Sequence, residues 1–256
     1  MTRLRIATAL LGVALLGACD KNAVQDITGP LAGAQVKFFH FGVNAPQVNF
    51  YANDAKVTAI SSVTGVESTI GTAYGAAGAG GFYATLAPGQ YDFTGRISAT
   101  TDKDLVIAKV AAAVEEGKRY SFYMSGFYST ATKTVEGFLV EDVLPADIDW
   151  SQAHVRFVHA ISNAAPLTLY AKNTVTGTET ALGAAVAYRG GGAFTALPPG
   201  LYDLGARFTG ATGNAVARTG VAFSAGRIYT IGARGDITVV STTASHGPVM
   251  DNTANR

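Results

Sequence analysis

A stretch of nineteen residues occurs twice in this chain, and any fold proposed for it has to repeat as well. Ala34 to Ala52 reads AQVKFFHFGVNAPQVNFYA and Ala153 to Ala171 reads AHVRFVHAISNAAPLTLYA; they align without a gap at an offset of 119 residues. Eight of the nineteen positions are identical: Ala34/Ala153, Val36/Val155, Phe38/Phe157, His40/His159, Asn44/Asn163, Ala45/Ala164, Tyr51/Tyr170 and Ala52/Ala171. Two further pairs follow in the same order. Leu86-Ala87-Pro88-Gly89-Gln90-Tyr91-Asp92 matches Leu197-Pro198-Pro199-Gly200-Leu201-Tyr202-Asp203, and Gly117-Lys118-Arg119-Tyr120 matches Gly226-Arg227-Ile228-Tyr229. An ordered set of motifs that recurs as a whole implies two copies of one structural unit. Each copy spans roughly 110 residues, enough to bury its own core.

Within each copy the hydrophobic period is two. Val36, Phe38 and His40 alternate with Gln35, Lys37 and Phe39, and Tyr120, Phe122 and Met124 alternate with Ser121, Tyr123 and Ser125. Turn signals interrupt the runs: Asn53-Asp54, Pro88-Gly89, and the glycine runs Gly78–Gly81 and Gly190–Gly192. Thr64 to Tyr74 is a weaker strand candidate, Leu105 to Val114 and Val135 to Val143 are stronger ones, and Ile237 to Thr242 is the brief last strand. Only 14% of residues are charged, while Gly, Thr, Val and aromatics are common. The chain is therefore expected to be all-β, two tandem immunoglobulin-like antiparallel β-sandwiches over 34–145 and 146–242, followed by a flexible tail over 243–256. In the Leu-x-Pro-Gly-x-Tyr-Asp motif, Gly89 and Gly200 are expected at positive φ. Tyr91 and Tyr202 are expected to bury their rings and bond their hydroxyls back to the turn, with Asp92 and Asp203 facing outward.

The recurring order of a Val-x-Phe-x-His strand, Asn-Ala-Pro, Leu-x-Pro-Gly-x-Tyr and Gly-x-x-Tyr resembles the domain-of-unknown-function 4397 family, over about 34–143 and 153–242. That resemblance implies immunoglobulin-like modules, often in tandem, in bacterial exported proteins and lipoproteins. It implies no activity. The chain departs from the family pattern at Ala165, where Pro is usual, and at Asn44 and Asn163, where Asp is usual.

The N-terminus supplies an address. Arg3 and Arg5 precede the apolar run Ile6 to Ala18, which is too short for a span of about 20 residues and reads as a secretory signal peptide over 1–18. It ends Leu16-Gly17-Ala18-Cys19, similar to a bacterial lipobox, which implies acylation of Cys19 and a tether over 19–33. Cys19 is the sole cysteine, so disulfides within the domains are excluded. The expected location is the bacterial cell envelope, at the outer membrane or the periplasmic face of the inner membrane. The expected partners are the membrane, through acyl chains on Cys19, and an envelope protein or glycan. The formal charge is +1, and loss of Arg3 and Arg5 leaves 17 basic against 18 acidic residues, so nucleic acid is not an expected partner.

Catalytic signatures do not emerge. The chain lacks Gly-x-Ser-x-Gly, His-Glu-x-x-His and a phosphate-binding loop. No catalytic residue, metal site or cofactor is expected. His40 and His159 are expected to bond a backbone carbonyl or a nearby Asn; the alternative is a periplasmic enzyme or accessory pairing one of them with a carboxylate. Tyr123, Phe127 and Tyr128 cluster near a hairpin end where the second copy has Gly232, Gly235 and Asp236, which makes them a candidate interaction surface. The leading expectation is a non-enzymatic, lipid-anchored protein whose sandwiches act as spacer or interaction modules.

Overall fold

A computed structural model describes residues 32–58, 70–241 and 244–255. The expected signal peptide, Cys19, most of the expected tether and much of the strand expected over 64–74 lie outside these residues. Alternating residues with dense turn signals leave little chance for helix, and apart from one short 3-10 turn at Gly78–Gly81 the regular elements among the described residues are sixteen strands.

The first sandwich contains β1 (Ala34–His40), β2 (Val48–Ala52), β3 (Ala55–Lys56), β4 (Ala84–Leu86), β5 (Gly89–Ile97), β6 (Val106–Val114), β7 (Arg119–Ser129) and β8 (Thr134–Glu141). The second contains β9 (Ala153–His159), β10 (Leu167–Asn173), β11 (Glu179–Ala181), β12 (Thr195–Leu197), β13 (Gly200–Phe208), β14 (Val216–Phe223), β15 (Ile228–Arg234) and β16 (Val249–Ala254). The sheets run β4-β1-β7-β8 and β3-β2-β5-β6 in the first, and β12-β9-β15-β16 and β11-β10-β13-β14 in the second. Strand order is the same in both. The sandwich expectation holds, and two details of it are corrected. β1 runs parallel to β7, and β9 parallel to β15, so one sheet of each sandwich is mixed. The order also departs from the immunoglobulin grouping of strands A, B, E and D against C, F and G. After β1 the chain passes Asn44, whose φ is 61°, and crosses to the opposite sheet instead of forming a hairpin, and it makes the same crossing after β9 without a positive φ at Asn163. The first and seventh strands are then free to pair side by side, with the intervening strands as their crossover.

The end of the chain also differs from expectation. Residues 237–241 form no strand. Asp236 accepts from the Thr238 amide (2.9 Å) and hydroxyl (2.7 Å) through Oδ1, which turns the chain. Val249–Ala254, expected to be part of a flexible tail, returns as β16 beside β15. Its polar residues hid it from a hydrophobicity reading, yet Met250 is buried in the second core.

Each sandwich has its own apolar centre. Phe38, Phe50, Phe93 and Phe122 interlock in the first, with ring centroids 5.4–6.2 Å apart. Phe157, Leu167, Leu169, Leu204 and Ile231 fill the second. A third buried cluster draws from both: Phe39, Phe41, Tyr123 and Phe138 from the first, Val158 and Ala160 from the second. Ala32–Arg256 is accordingly one compact unit.

Candidate functional site

The third cluster marks a seam between the mixed sheets, and the repeated strands explain how it forms. Side chains alternate along a strand, so β1 and β9 each present two faces. Val36 and Phe38, and their counterparts Val155 and Phe157, enter the two cores. The other face carries the differences between copies: Lys37/Arg156, Phe39/Val158 and Phe41/Ala160. Every residue of β9 is buried, as it must be in a strand covered on both faces.

The apolar half of the seam pairs large side chains with small ones. Phe39 stacks on Tyr123 at 4.7 Å, and Tyr123 on Phe138 at 5.1 Å. In the second sandwich the position matching Tyr123 is Gly232, and a Cβ there would sit 3.0 Å from Phe41. A Cβ on Gly191 would meet Val140 at 2.7 Å. The glycine run Gly190–Gly192, which reads from sequence as a turn, therefore also admits a close neighbour from the first sandwich.

The polar half centres on Arg156, 2% exposed. Its guanidinium pairs with Asp142 Oδ1, donates to the Glu141 carbonyl (3.0 Å) and to Thr230 Oγ1 (3.0 Å), and lies 4.9 Å from the Phe194 ring. Asp142 Oδ2 accepts from the Tyr83 and Ser121 hydroxyls at 2.7 and 2.8 Å. Lys37 donates to the Ala254 carbonyl (2.5 Å) and sits 4.3 Å over the Tyr83 ring. Burial, opposed by the nearby Asp142 carboxylate, pushes the Lys37 ammonium down to about 8. Burial and the same carboxylate push the Tyr83 phenol up. Further along, Ser125 donates to the Ala160 carbonyl (2.7 Å), and Glu136 accepts from Tyr188 (2.6 Å) and Arg189 (2.7 Å). Partial burial works against the Glu136 charge, but these two donors hold its carboxyl below the usual range.

The residues singled out from sequence are not brought together. Tyr123 is 1% exposed inside the seam, Tyr128 packs on the first core, and only Phe127 is exposed, so the three form no surface patch. The asymmetry that drew attention to them is real, but it reflects a large side chain facing a glycine. In the two Pro-Gly corners, Tyr91 donates its hydroxyl to the Ala87 carbonyl (3.0 Å) and Tyr202 to the Pro198 carbonyl (2.7 Å). Gly89 has φ 156°, close to extended, and Gly200 is not at positive φ. The expected left-handed turn is thus corrected at Gly200. A Cβ there would press on the Tyr202 ring at 3.4 Å and the Asn173 amide at 3.3 Å, so a larger residue would have to displace these side chains slightly. Sequence reasoning missed Lys37, Tyr83, Asp142 and Arg156. An arginine at the centre of a strand otherwise buried on both faces was the available signal.

His40 and His159 are fully buried and occupy equivalent places. Their Nε2 atoms face the Pro46 carbonyl (2.9 Å) and the Ala165 carbonyl (3.2 Å). A carbonyl only accepts, so Nε2 carries the proton in both. In His159 the Nδ1 lone pair accepts from the Ile161 amide (3.2 Å); in His40 Nδ1 has no partner among the described residues. Burial pushes both pKa values down, that of His40 to about 4 from the ordinary 6.5, with Arg234 adding to the shift. Above pH 6.5 the ring is neutral folded and unfolded. Between 6.5 and 4 the unfolded chain binds a proton that the folded chain refuses, so stability falls as pH falls. The expected loss from His40 reaches about 3 kcal/mol at the bottom of the window, at ~1.4 kcal/mol per pKa unit. Urea unfolding of wild type and His40→Asn from pH 7 to 4 measures it: the stability gap between them should shrink toward acid pH. A constant gap would show that His40 titrates normally.

Among the described residues no group of three His, Cys, Asp or Glu side chains is placed to hold a metal ion, and no helix is long and apolar enough to cross a membrane. No curated protein matches the chain. The family described as Domain of unknown function (DUF4397) matches residues 34–170, from β1 through the start of the second sandwich. With more than half of its length covered, and the Val-x-Phe-x-His strand and first Pro-Gly-x-Tyr corner inside the match, the chain belongs to the DUF4397 family.

Proposed function

We propose that this chain is a non-enzymatic, lipid-anchored protein of the bacterial cell envelope, in which two DUF4397 modules in tandem act as one rigid spacer or interaction unit. The observation that carries the reading is the buried seam. Two modules joined only by a flexible linker would move independently. Here the Arg156–Asp142 pair and the packing of Phe39, Phe41, Tyr123 and Phe138 against Val158 and Ala160 tie them into one body, which suits a protein that must hold a surface at a fixed distance from its anchor. The histidines support a structural role, since each proton is committed to a backbone carbonyl and neither ring has a carboxylate partner among the described residues.

Anchoring rests on the Leu-Gly-Ala-Cys sequence. Each buried methylene of an acyl chain contributes about 0.8 kcal/mol, and two or more chains give stable attachment where one is marginal. Cys19→Ser is expected to release the protein from membranes or to stall its processing. Membrane fractionation with mass spectrometry of the N-terminus reads this directly. Wild-type protein found soluble with an unmodified Cys19 would sink the lipoprotein reading.

A further inference from the structure

We propose that the end of the molecule at which β1 and β9 begin rests on a lipid surface, with Trp150, Val175 and Leu201 of the second sandwich at headgroup level. The proposal deepens the lipid-anchor reading above and rests on it. The seam first sets both sandwiches in one direction. Lys37 reaches the Ala254 carbonyl, and Ala254 is level with Val155 across β15. Phe41 lies against Gly232, which is level with Val158. Positions 37 and 41 thus face positions 155 and 158, so β1 and β9 run the same way. The chain enters β1 beside the 115–118 turn, where Glu116 Oε1 accepts from the Gly33 amide (2.7 Å). It enters β9 beside the 224–227 turn, where the Gln152 carbonyl accepts from the Gly226 amide (2.8 Å). Both entry points therefore lie at one end of the molecule.

Two observations choose lipid as the partner. The first is that this end is apolar in the second sandwich and polar in the first. Trp150, 63% exposed, lies over the Gly226 turn, where an added Cβ would meet its ring at 2.9 Å. Val175, 89% exposed, tips the β10–β11 turn, and the Thr174 amide ties that turn to the Leu201 carbonyl (3.0 Å). Leu201 is exposed as well. The first copy has Gln90 in place of Leu201, Asn53-Asp54 in place of the turn bearing Val175, and Glu115-Glu116 in place of Ser224-Ala225. A tip that carries a tryptophan among aliphatic side chains suits the headgroup region, where the indole ring and its N–H each find matching surroundings. At the opposite end the most exposed apolar side chains, Ile70 and Val240, border residues outside the described set and define no face. The second observation is the path of the chain. From Cys19 to Ala32 is 32 − 19 = 13 residues, at most about 45 Å even when fully extended. An anchor at Cys19 thus brings the entry end to the bilayer. For the opposite end to face it, the tether would have to run back along strands of nine residues, about 30 Å, which takes most of its reach.

The test uses the chain from Cys19 onward, which holds the whole compact unit Ala32–Arg256. Its sole thiol is coupled to a maleimide lipid in phosphatidylcholine vesicles, and its sole tryptophan, Trp150, reports the contact. Coupling supplies an effective concentration on the order of millimolar, so even a weak surface engages. Trp150 emission should move to the blue, acrylamide should quench it less, and brominated phosphatidylcholine should quench it more. The same chain capped with N-ethylmaleimide and mixed with vesicles should show none of these changes. Val175→Glu with Leu201→Glu alters two exposed side chains, should leave circular dichroism unchanged, and should abolish the shift in the coupled chain. A coupled chain whose Trp150 behaves as in the capped chain would overturn the proposal. A blue shift that grows with protein concentration in the capped chain alone would show that a second copy covers this end, and would overturn the lipid assignment. A shift that survives the double substitution would overturn the face, leaving only the linker in contact. Chemical coupling replaces acylation here, and the Cys19→Ser fractionation reads acylation itself, so the two failures are distinguishable.

Discussion

Asp142→Asn is expected to cost the fold about 3–5 kcal/mol, the usual penalty for stranding one partner of a buried ion pair. The substitution keeps the shape of the side chain and removes its charge. Arg156 would then sit 2% exposed without a counter-ion, and it cannot escape by losing a proton. Lys37 can, because burial has already brought its ammonium down to about 8. The burden therefore falls on the arginine. Tyr83 and Ser121 would in addition exchange a carboxylate acceptor for an amide. Replacing both charges by apolar residues of similar size, Asp142→Leu with Arg156→Met, should cost far less than the two single changes added together, because no unpaired charge remains. Urea unfolding of the four chains gives the coupling directly. A single-mutant cost below about 1 kcal/mol, or simple additivity, would mean that the pair does not hold the two sandwiches together.

Much of this architecture was legible because the sequence states it twice. Period-two alternation and the recurring Pro-Gly-x-Tyr corner were enough for two β-sandwiches, since both are local signals with one physical reading. The parallel pairing of β1 with β7 was not legible, because it depends on where the chain goes after Asn44, and a single turn residue does not encode that direction. The seam was hidden for a related reason. In a strand buried on both faces, the face toward the neighbour looks from sequence like a partly polar outer surface. Lys37 and Arg156 fit that outer-surface reading until the structure showed both of them covered. A comparison of the two copies held the missing signal. Core-facing positions such as Phe50/Leu169 and Phe122/Ile231 exchange one large apolar residue for another, whereas Phe41/Ala160 and Tyr123/Gly232 exchange a ring in the first sandwich for almost nothing in the second. Such size mismatches are what two surfaces pressed together require.

Removing the corner rings is expected to have a comparable effect, and the two corners should now differ. Tyr202 is 2% exposed, packs against Phe223 at 5.7 Å and anchors its hydroxyl on the Pro198 carbonyl. Tyr202→Ala should therefore leave a true cavity and cost about 3–5 kcal/mol, by analogy with buried Phe→Ala. Tyr91 stacks on Phe93 at the same distance but is only partly buried, so Tyr91→Ala should cost less, about 2–3 kcal/mol, because water and neighbours can refill part of the space. Tyr→Phe keeps the ring and loses one hydrogen bond, for about 0.5–1.5 kcal/mol at either site. The neighbouring aspartates face outward, Asp92 toward Lys109 (2.7 Å) and Asp203 toward the Gly220 amide (3.0 Å). Both are surface contacts, so their replacement by alanine should cost less than about 1 kcal/mol. Urea unfolding of the full chain with each substitution gives the ranking Tyr202→Ala above Tyr91→Ala, both above Tyr→Phe, and Asp→Ala last. Should Asp203→Ala prove as costly as Tyr202→Ala, the polar contacts of the turn rather than the buried ring hold the corner, and the repeated motif would be an anchor for the β13–β14 ladder instead of a plug in the core.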